Sequence, residues 1–204
     1  MSTEEQSQKW NQRFSTDEYL FGTEPNAFLA SVQHLLQSGQ SAIAVADGEG
    51  RNGVWMAKLG LDVLSVDFSG VALEKARLLA VENGVKLRTE MADLFSWDWG
   101  QDRFNVVVAI FIQFAAPHER TILFSQMKKC LKPSGHLILQ GYRPEQLDYK
   151  TGGPPQAENM YTAEMLREHF SDMEILHLCE HDNLITEGTA HQGMSALIDM
   201  VARK

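Results

Sequence analysis

The stretch that most narrows what this chain can become is Ile43-Ala44-Val45-Ala46-Asp47-Gly48-Glu49-Gly50-Arg51-Asn52-Gly53. An unbroken run of small and β-branched apolar residues suits a strand buried on both faces, as in parallel sheets covered by helices. The run gives way to glycines, which reach backbone angles closed to other residues and let another group approach the main chain. Val54, Trp55, Ala57 and Leu59 then return at helical spacing, and Gly60 is placed to end that helix. The free N–H groups of such a helix start point toward whatever occupies the turn.

Strand, glycine turn and helix start are together the local anatomy of a nucleotide site in a doubly wound sheet. Gly48-x-Gly50-x-x-Gly53 matches the dinucleotide-binding pattern letter for letter, although a glycine turn that only joins strand to helix would match as well. The next unit adds weight. Leu61-Asp62-Val63-Leu64-Ser65-Val66 reads as a second strand ending at Asp67, and Ser69 can cap a helix carrying Val71, Leu73, Ala76 and Leu79. An acid at the tip of the second strand is placed to accept hydrogen bonds from a ribose, though Asp67 could also serve as a helix cap. On these residues NAD and S-adenosylmethionine fit equally.

A length of 204 residues allows a proper core, and the chain reads as a single domain over 1–204. The formal net charge of −9 argues against nucleic acid as partner, because phosphate contacts need a basic surface. Residues 1–9 are polar, and the longest apolar run, Val106 to Ile112, is too short to span a bilayer. Cys130 and Cys179 read as reduced thiols. The expectation is a cytoplasmic monomer that acts on a small molecule, away from membranes. The seven histidines show no metal-ligand spacing.

Along the chain, Thr3 to Phe14 reads as a short helix within an aromatic arm, Trp10 to Pro25. The arm is either pinned to the body by its apolar side chains or a lid over a pocket. Phe28, Val32, Leu35 and Leu36 mark an amphipathic helix ending at Gly39. A third strand runs over Val85 to Met91 with Asp93 beyond it. A fourth, Phe104 to Ile110, reads as buried on both faces, with Gln113 past its end. Pro117 opens a helix that continues through Leu123, Met127 and Leu131, and a fifth strand covers His136 to Gly141. Tyr142 to Met160 looks irregular, and Thr162 to Phe170 is a capped helix. Met173 to Glu180 and Met194 to Val201 are two last strands joined by a polar loop carrying His191-Gln192-Gly193. The alternation predicts an α/β, doubly wound Rossmann-like sheet, mostly parallel, with a C-terminal antiparallel hairpin. A NAD-binding fold would usually continue with further units, which favours S-adenosylmethionine.

The glycine loop, Asp67, Ala92-Asp93, Leu131-Lys132-Pro133-Ser134-Gly135 and the terminal hairpin resemble those of a class I S-adenosylmethionine-dependent methyltransferase. Trp10-Asn11-Gln12-Arg13-Phe14, Tyr19-x-Phe21-Gly22-Thr23-Glu24-Pro25 and Gly50-Arg51-Asn52 resemble the branch of tellurite-resistance and thiopurine methyltransferases, which methylate soft nucleophiles. The family's first motif runs acidic–apolar–Gly–x–Gly–x–Gly, whereas here the acid and the first glycine are Ala44 and Ala46. Asp47 is then expected either to supply a displaced carboxylate to the ligand's ammonium group or to face solvent. The resemblance implies a cofactor site built from Asp47, Gly48, Gly50, Arg51, Asn52, Asp67, Phe68, Asp93 and Leu94. In it the loop N–H groups take the donor's carboxylate, Asp67 takes the ribose hydroxyls, and Asp93 takes the adenine amino group with Leu94 or Phe95 against the ring, although Asp93 could equally be a turn residue.

On the acceptor side the candidates are Gln113 past strand four, Arg143 past strand five with Lys150 further on, and His191, whose ordinary pKa suits a base. Each has an ordinary alternative: a surface amide, a solvated cation, a structural loop histidine. The expected activity is methyl transfer to a small soft (sulfur, selenium or tellurium) or anionic acceptor. The rivals are a S-adenosylmethionine-binding protein with little turnover and a NAD-dependent oxidoreductase.

Overall fold

The computed structural model describes residues 3–204, with side chains from Ser7 onward. Their contacts form two compact units, one of the residues up to Asp98 with Glu187–Ala190, the other Trp99–Thr186 with His191–Lys204.

The first unit holds β1 (Ser41–Val45), β2 (Asp62–Asp67) and β3 (Arg88–Met91), all parallel in the order β3-β2-β1. Ser41 stands opposite Asp62 and Val45 opposite Val66, so both strands carry their carboxyl ends to the same edge. Four of five positions in β1 and five of six in β2 are buried, which is why both read as runs and not alternations. Helix α1 (Thr3–Phe14) and the short α2 (Ala27–Ser31) precede β1. α3 (Arg51–Lys58) and α4 (Gly70–Glu82) are the crossovers, and α4 buries Ala72, Leu73, Ala76, Leu79 and Ala80.

The second unit holds β4 (Phe104–Ile110), α5 (Pro117–Cys130), β5 (Leu131–Tyr142), α6 (Gln146–Tyr149), α7 (Ala163–His169), β6 (Glu174–Glu187) and β7 (His191–Arg203). The turn after β6 groups with the first unit. Its strands run in the order β4-β5-β7-β6. β4 and β5 are parallel, and β7 lies antiparallel to β5 from His136 opposite Arg203 to Tyr142 opposite Leu197. The seven strands and their helices give the mostly parallel α/β class expected, with its antiparallel C-terminal pair.

Several boundaries differ from the sequence reading: β3 starts at Arg88 and not at Val85, and α6 lies within the stretch read as irregular. The helix expected from Phe28 to Gly39 is α2 followed by a single 3-10 turn, Gln33–Leu35. Asn26 caps α2 by accepting the Leu29 N–H, and packing only Phe28, Leu29 and Leu36 inward needs no continuous helix. β5 begins at Leu131, five residues before the expected start. The hairpin is also longer than expected: only Gly188, Thr189 and Ala190 connect β6 to β7, so His191-Gln192-Gly193 opens β7 and is not a loop. β6 lies at the end of the strand order and is largely exposed, so it lacks the apolar alternation that marks a strand.

Candidate active site

In the first unit the loop after β1 alternates left-handed residues, Ala46 (φ 49°), Gly48 (φ 58°) and Gly50 (φ 87°). Glycine takes this region freely; Ala46 takes it at a cost of about 1–2 kcal/mol. A Cβ on Gly50 would lie 2.5 Å from the Cβ of Ala76, so loop and α4 touch with no room for a side chain.

Gly50 stands at the start of α3 with no side chain to cap it, and Asp47 does that work from three residues back. Its carboxylate accepts the Gly53 N–H at 3.2 and 3.3 Å and the Ser65 hydroxyl at 2.9 Å. Burial, only partly offset by these bonds, pushes the Asp47 carboxyl up to about 7. The carboxylate thus bonds within the protein, although the residue is only half-buried.

Asp67, at the tip of β2, is buried, and its oxygens accept the N–H groups of Gly48 at 2.9 Å and Ser69 at 2.8 Å. Burial raises its pKa against those same bonds. A carboxylate has about four lone-pair sites, so acceptor capacity remains for a ribose hydroxyl. Ser69 caps α4 by accepting the Ala72 N–H and donates its own hydroxyl to Asn11 Oδ1 at 2.6 Å. Phe68 is half-buried, its carbonyl accepting from the Ser7 hydroxyl. Asp93 accepts the Phe95 N–H at 3.0 Å and so shapes a turn, while Leu94 is buried.

The aromatic arm lies against this loop. Trp10 stacks on Phe14 at 5.4 Å, Phe14 meets Phe21 edge-on, and the Arg13 guanidinium sits 4.9 Å over Trp10. The Phe14 ring is 3.4 Å from where a Gly48 Cβ would stand. Two charged residues tie the arm down. Lys75 on α4 donates to the carbonyls of Thr16 (3.0 Å) and Glu18 (2.7 Å) and ion-pairs with buried Glu49, which also accepts the Leu20 N–H at 2.8 Å. Arg51 pairs with Glu187 at 2.7 Å and donates to the Phe21 carbonyl, and Asn52 accepts the Asn26 N–H. The turn after β6 closes on the arm through Thr189 and Ala190 N–H donation to the Leu20 carbonyl. Arg51 and Asn52, expected as cofactor residues, hold arm and turn to the loop.

In the second unit the three acceptor-side candidates have partners of their own. Gln113 is buried, donating to the Tyr142 carbonyl at 2.8 Å and accepting the Tyr142 N–H at 2.6 Å; its amide braces the ends of β4 and β5 and does not face outward. Arg143 ion-pairs with Asp182 and with Glu145 at 3.3 Å and donates to the Leu197 carbonyl, so it is not an unengaged cation. The His191 ring packs edge-on against Phe111 at 4.7 Å, and Phe111 lies 4.7 Å from Tyr142. Phe111 has φ 56°, a strained value for a bulky residue, directly after β4.

Sequence reasoning passed over Glu49, Lys75, Phe111 and Arg120. Arg120 is buried on α5 and donates from Nη1 to the Glu158 carbonyl at 2.8 Å, while its Nε has no partner. Burial lowers its pKa. A signal existed: Arg120, Leu123, Phe124 and Met127 recur at i, i+3, i+4 and i+7, which places a cation on the inward stripe of a helix. Among the described residues no His/Cys/Asp/Glu group could hold a metal ion, and no helix is long and apolar enough to cross a membrane.

A methyltransferase-domain family model matches residues 42–135, from β1 into β5. No curated protein sequence matches the chain. The fold is similar to TehB from Haemophilus influenzae, with TM-score 0.72, 16% identity and 97% of this chain covered. The match spans 66% of TehB, just under two thirds of its length. It is also similar to a structure described as conversion of a disulfide bond into a thioacetal group during echinomycin biosynthesis, with TM-score 0.77 and 15% identity, over 98% of this chain and 93% of that one. A TehB-like S-adenosylmethionine-dependent methyltransferase from Corynebacterium glutamicum aligns with TM-score 0.63 at 17% identity, over 98% of this chain and 97% of that one. The chain thus carries a methyltransferase-domain match over residues 42–135 and shares its fold with TehB and with solved S-adenosylmethionine-dependent methyltransferases.

Proposed function

We propose that the chain methylates a small soft nucleophile, a sulfur, selenium or tellurium centre, acting as one cytoplasmic domain and a monomer. The observation that carries this reading is the engagement of the second unit's polar candidates. Arg143 already holds two carboxylates, Gln113 is spent on Tyr142, and His191 packs on an aromatic pair. A thiolate or its heavier analogues need orientation and exclusion of water more than a base.

The donor side fits the cofactor. The Gly48 backbone offers close approach beneath the Phe14 ring, and Asp67 keeps lone pairs for ribose hydroxyls. Asp93 and Leu94 would flank the adenine. S-adenosylmethionine, when bound, supplies an electrophilic methyl group to the acceptor in an in-line displacement. The arm would shut water from that reaction, with Lys75 and Arg51 setting its closed position.

The test is turnover to S-adenosylhomocysteine with a panel of thiols, selenite and tellurite beside matched alcohols and amines. Activity confined to alcohols or amines would overturn the soft-acceptor reading. A second reading, a binder with little turnover, is favoured by Ala46 standing strained where the family carries glycine. Tight S-adenosylhomocysteine binding with no turnover across the panel would select it.

A further inference from the structure

Burying a cation without a counter-charge is costly, and folds meet that cost with a carboxylate or another anion. Arg120 is 7% exposed, and no carboxylate pairs with it among the described residues. Its one hydrogen-bond partner is neutral, the Glu158 carbonyl, and the Tyr161 ring lies 5.8 Å below the guanidinium. Glu119, the acid beside it on α5, is engaged with the Ala116 N–H at 2.9 Å. Of its charged neighbours, Lys128 is ion-paired with Asp172 at 2.8 Å, and burial lowers the pKa of His169.

The surroundings suit an incoming anion. Arg120 lies in the first turns of α5, a 14-residue helix whose first residue is Pro117 and whose preceding Ala116 has no capping side chain. The carbonyl over it belongs to an exposed single 3-10 turn, Ala157–Asn159, at the end of the long connection from Lys150. That turn has no buried residue of its own.

We propose that Arg120 is the acceptor-recognition residue, binding a carboxylate or comparable oxyanion on the soft nucleophile through its unpartnered Nε and an Nη in fork geometry. This rests on the soft-acceptor reading and extends it: the substrate class becomes a small thiol, or heavier analogue, that carries an anionic group. It also replaces Arg143, whose charge is already met, as the residue that selects for anions.

The experiment has two arms. Calorimetry with (methylthio)acetate, which cannot accept a methyl group at a thiolate, reads anion binding without turnover. Wild-type protein should bind it saturably, and Arg120→Met should weaken binding roughly tenfold or more, the scale of a charge-assisted bidentate pair. In the kinetic arm, kcat/KM for thioglycolate relative to uncharged 2-mercaptoethanol should fall by a similar factor in Arg120→Met. Arg120→Lys, which keeps the charge without the fork, should fall between them and serves if the Met variant does not fold. Methylation of 2-mercaptoethanol without saturable binding of (methylthio)acetate would remove Arg120 while leaving the soft-acceptor reading standing. Anion binding lost in Arg120→Met, with neither thiol methylated, would support the site and sink that reading. Equal losses for both thiols would mark Arg120 as structural and overturn the proposal.

Discussion

Asp47→Asn isolates a carboxyl whose charged form is opposed by burial. In the unfolded chain Asp47 titrates at its ordinary 3.8, and in the folded protein at about 7. Between those values the folded state keeps a proton that the unfolded state has lost, so stability is highest below pH 4, falls as pH rises to 7, and then levels. This is the reverse of a carboxylate held by a salt bridge. The gap from 3.8 to about 7, at 1.36 kcal/mol per pH unit, has a ceiling of roughly 4 kcal/mol, and the part lying between pH 5 and 8 is below 3 kcal/mol. Residual exposure of the side chain reduces that to about 1–2 kcal/mol. Asparagine keeps the acceptor for the Gly53 N–H, and its amide can donate to the Ser65 hydroxyl, so the cap survives without the titration. The variant should therefore gain on wild type by ~2–8 °C in Tm between pH 5 and pH 8, using 2–4 °C per kcal/mol for a chain of this size. Thermal unfolding by circular dichroism at both pH values is the assay, and other titrations cancel in the difference. An advantage that is equal at the two pH values, or that shrinks as pH rises, would refute the burial argument.

Ala46→Gly should stabilise the protein by roughly 0.5–1 kcal/mol, the left-handed cost less glycine's added unfolded entropy, measured by urea denaturation. A lower urea midpoint would contradict it. Asp67→Ala should weaken S-adenosylhomocysteine binding by about 1.5–3 kcal/mol in calorimetry, and unchanged affinity in a folded variant would remove the ribose role. Glu187→Gln leaves Arg51 buried with its partner's charge gone and should cost roughly 3 kcal/mol; an unmoved denaturation midpoint would show that the pair contributes nothing. Amide exchange over residues 10–25 should slow further when S-adenosylhomocysteine is added, and equal protection with and without it would make the arm packing alone.

The order of elements was legible in the sequence because it follows from local periodicity. β1, β2 and β4 are apolar runs because both faces are covered, Ser69 caps α4 as its position suggested, and Asp67 stands at the carboxyl end of β2. Exposed edges carry no such pattern, which is why the extent of β6 and the tightness of its turn were not legible. What tertiary structure alone decided is the employment of polar side chains. Arg143 and Asp182 are 39 residues apart, Arg51 and Glu187 lie 136 positions from one another in number, and Gln113 meets Tyr142 across 29 residues. A residue's type states which bonds it can make, while which bonds it has left for a ligand depends on partners brought together only by folding. Ala46 shows the same division. Its identity was plain in the sequence, but its left-handed backbone, and so its strain, comes from the turn that β1 must make before α3.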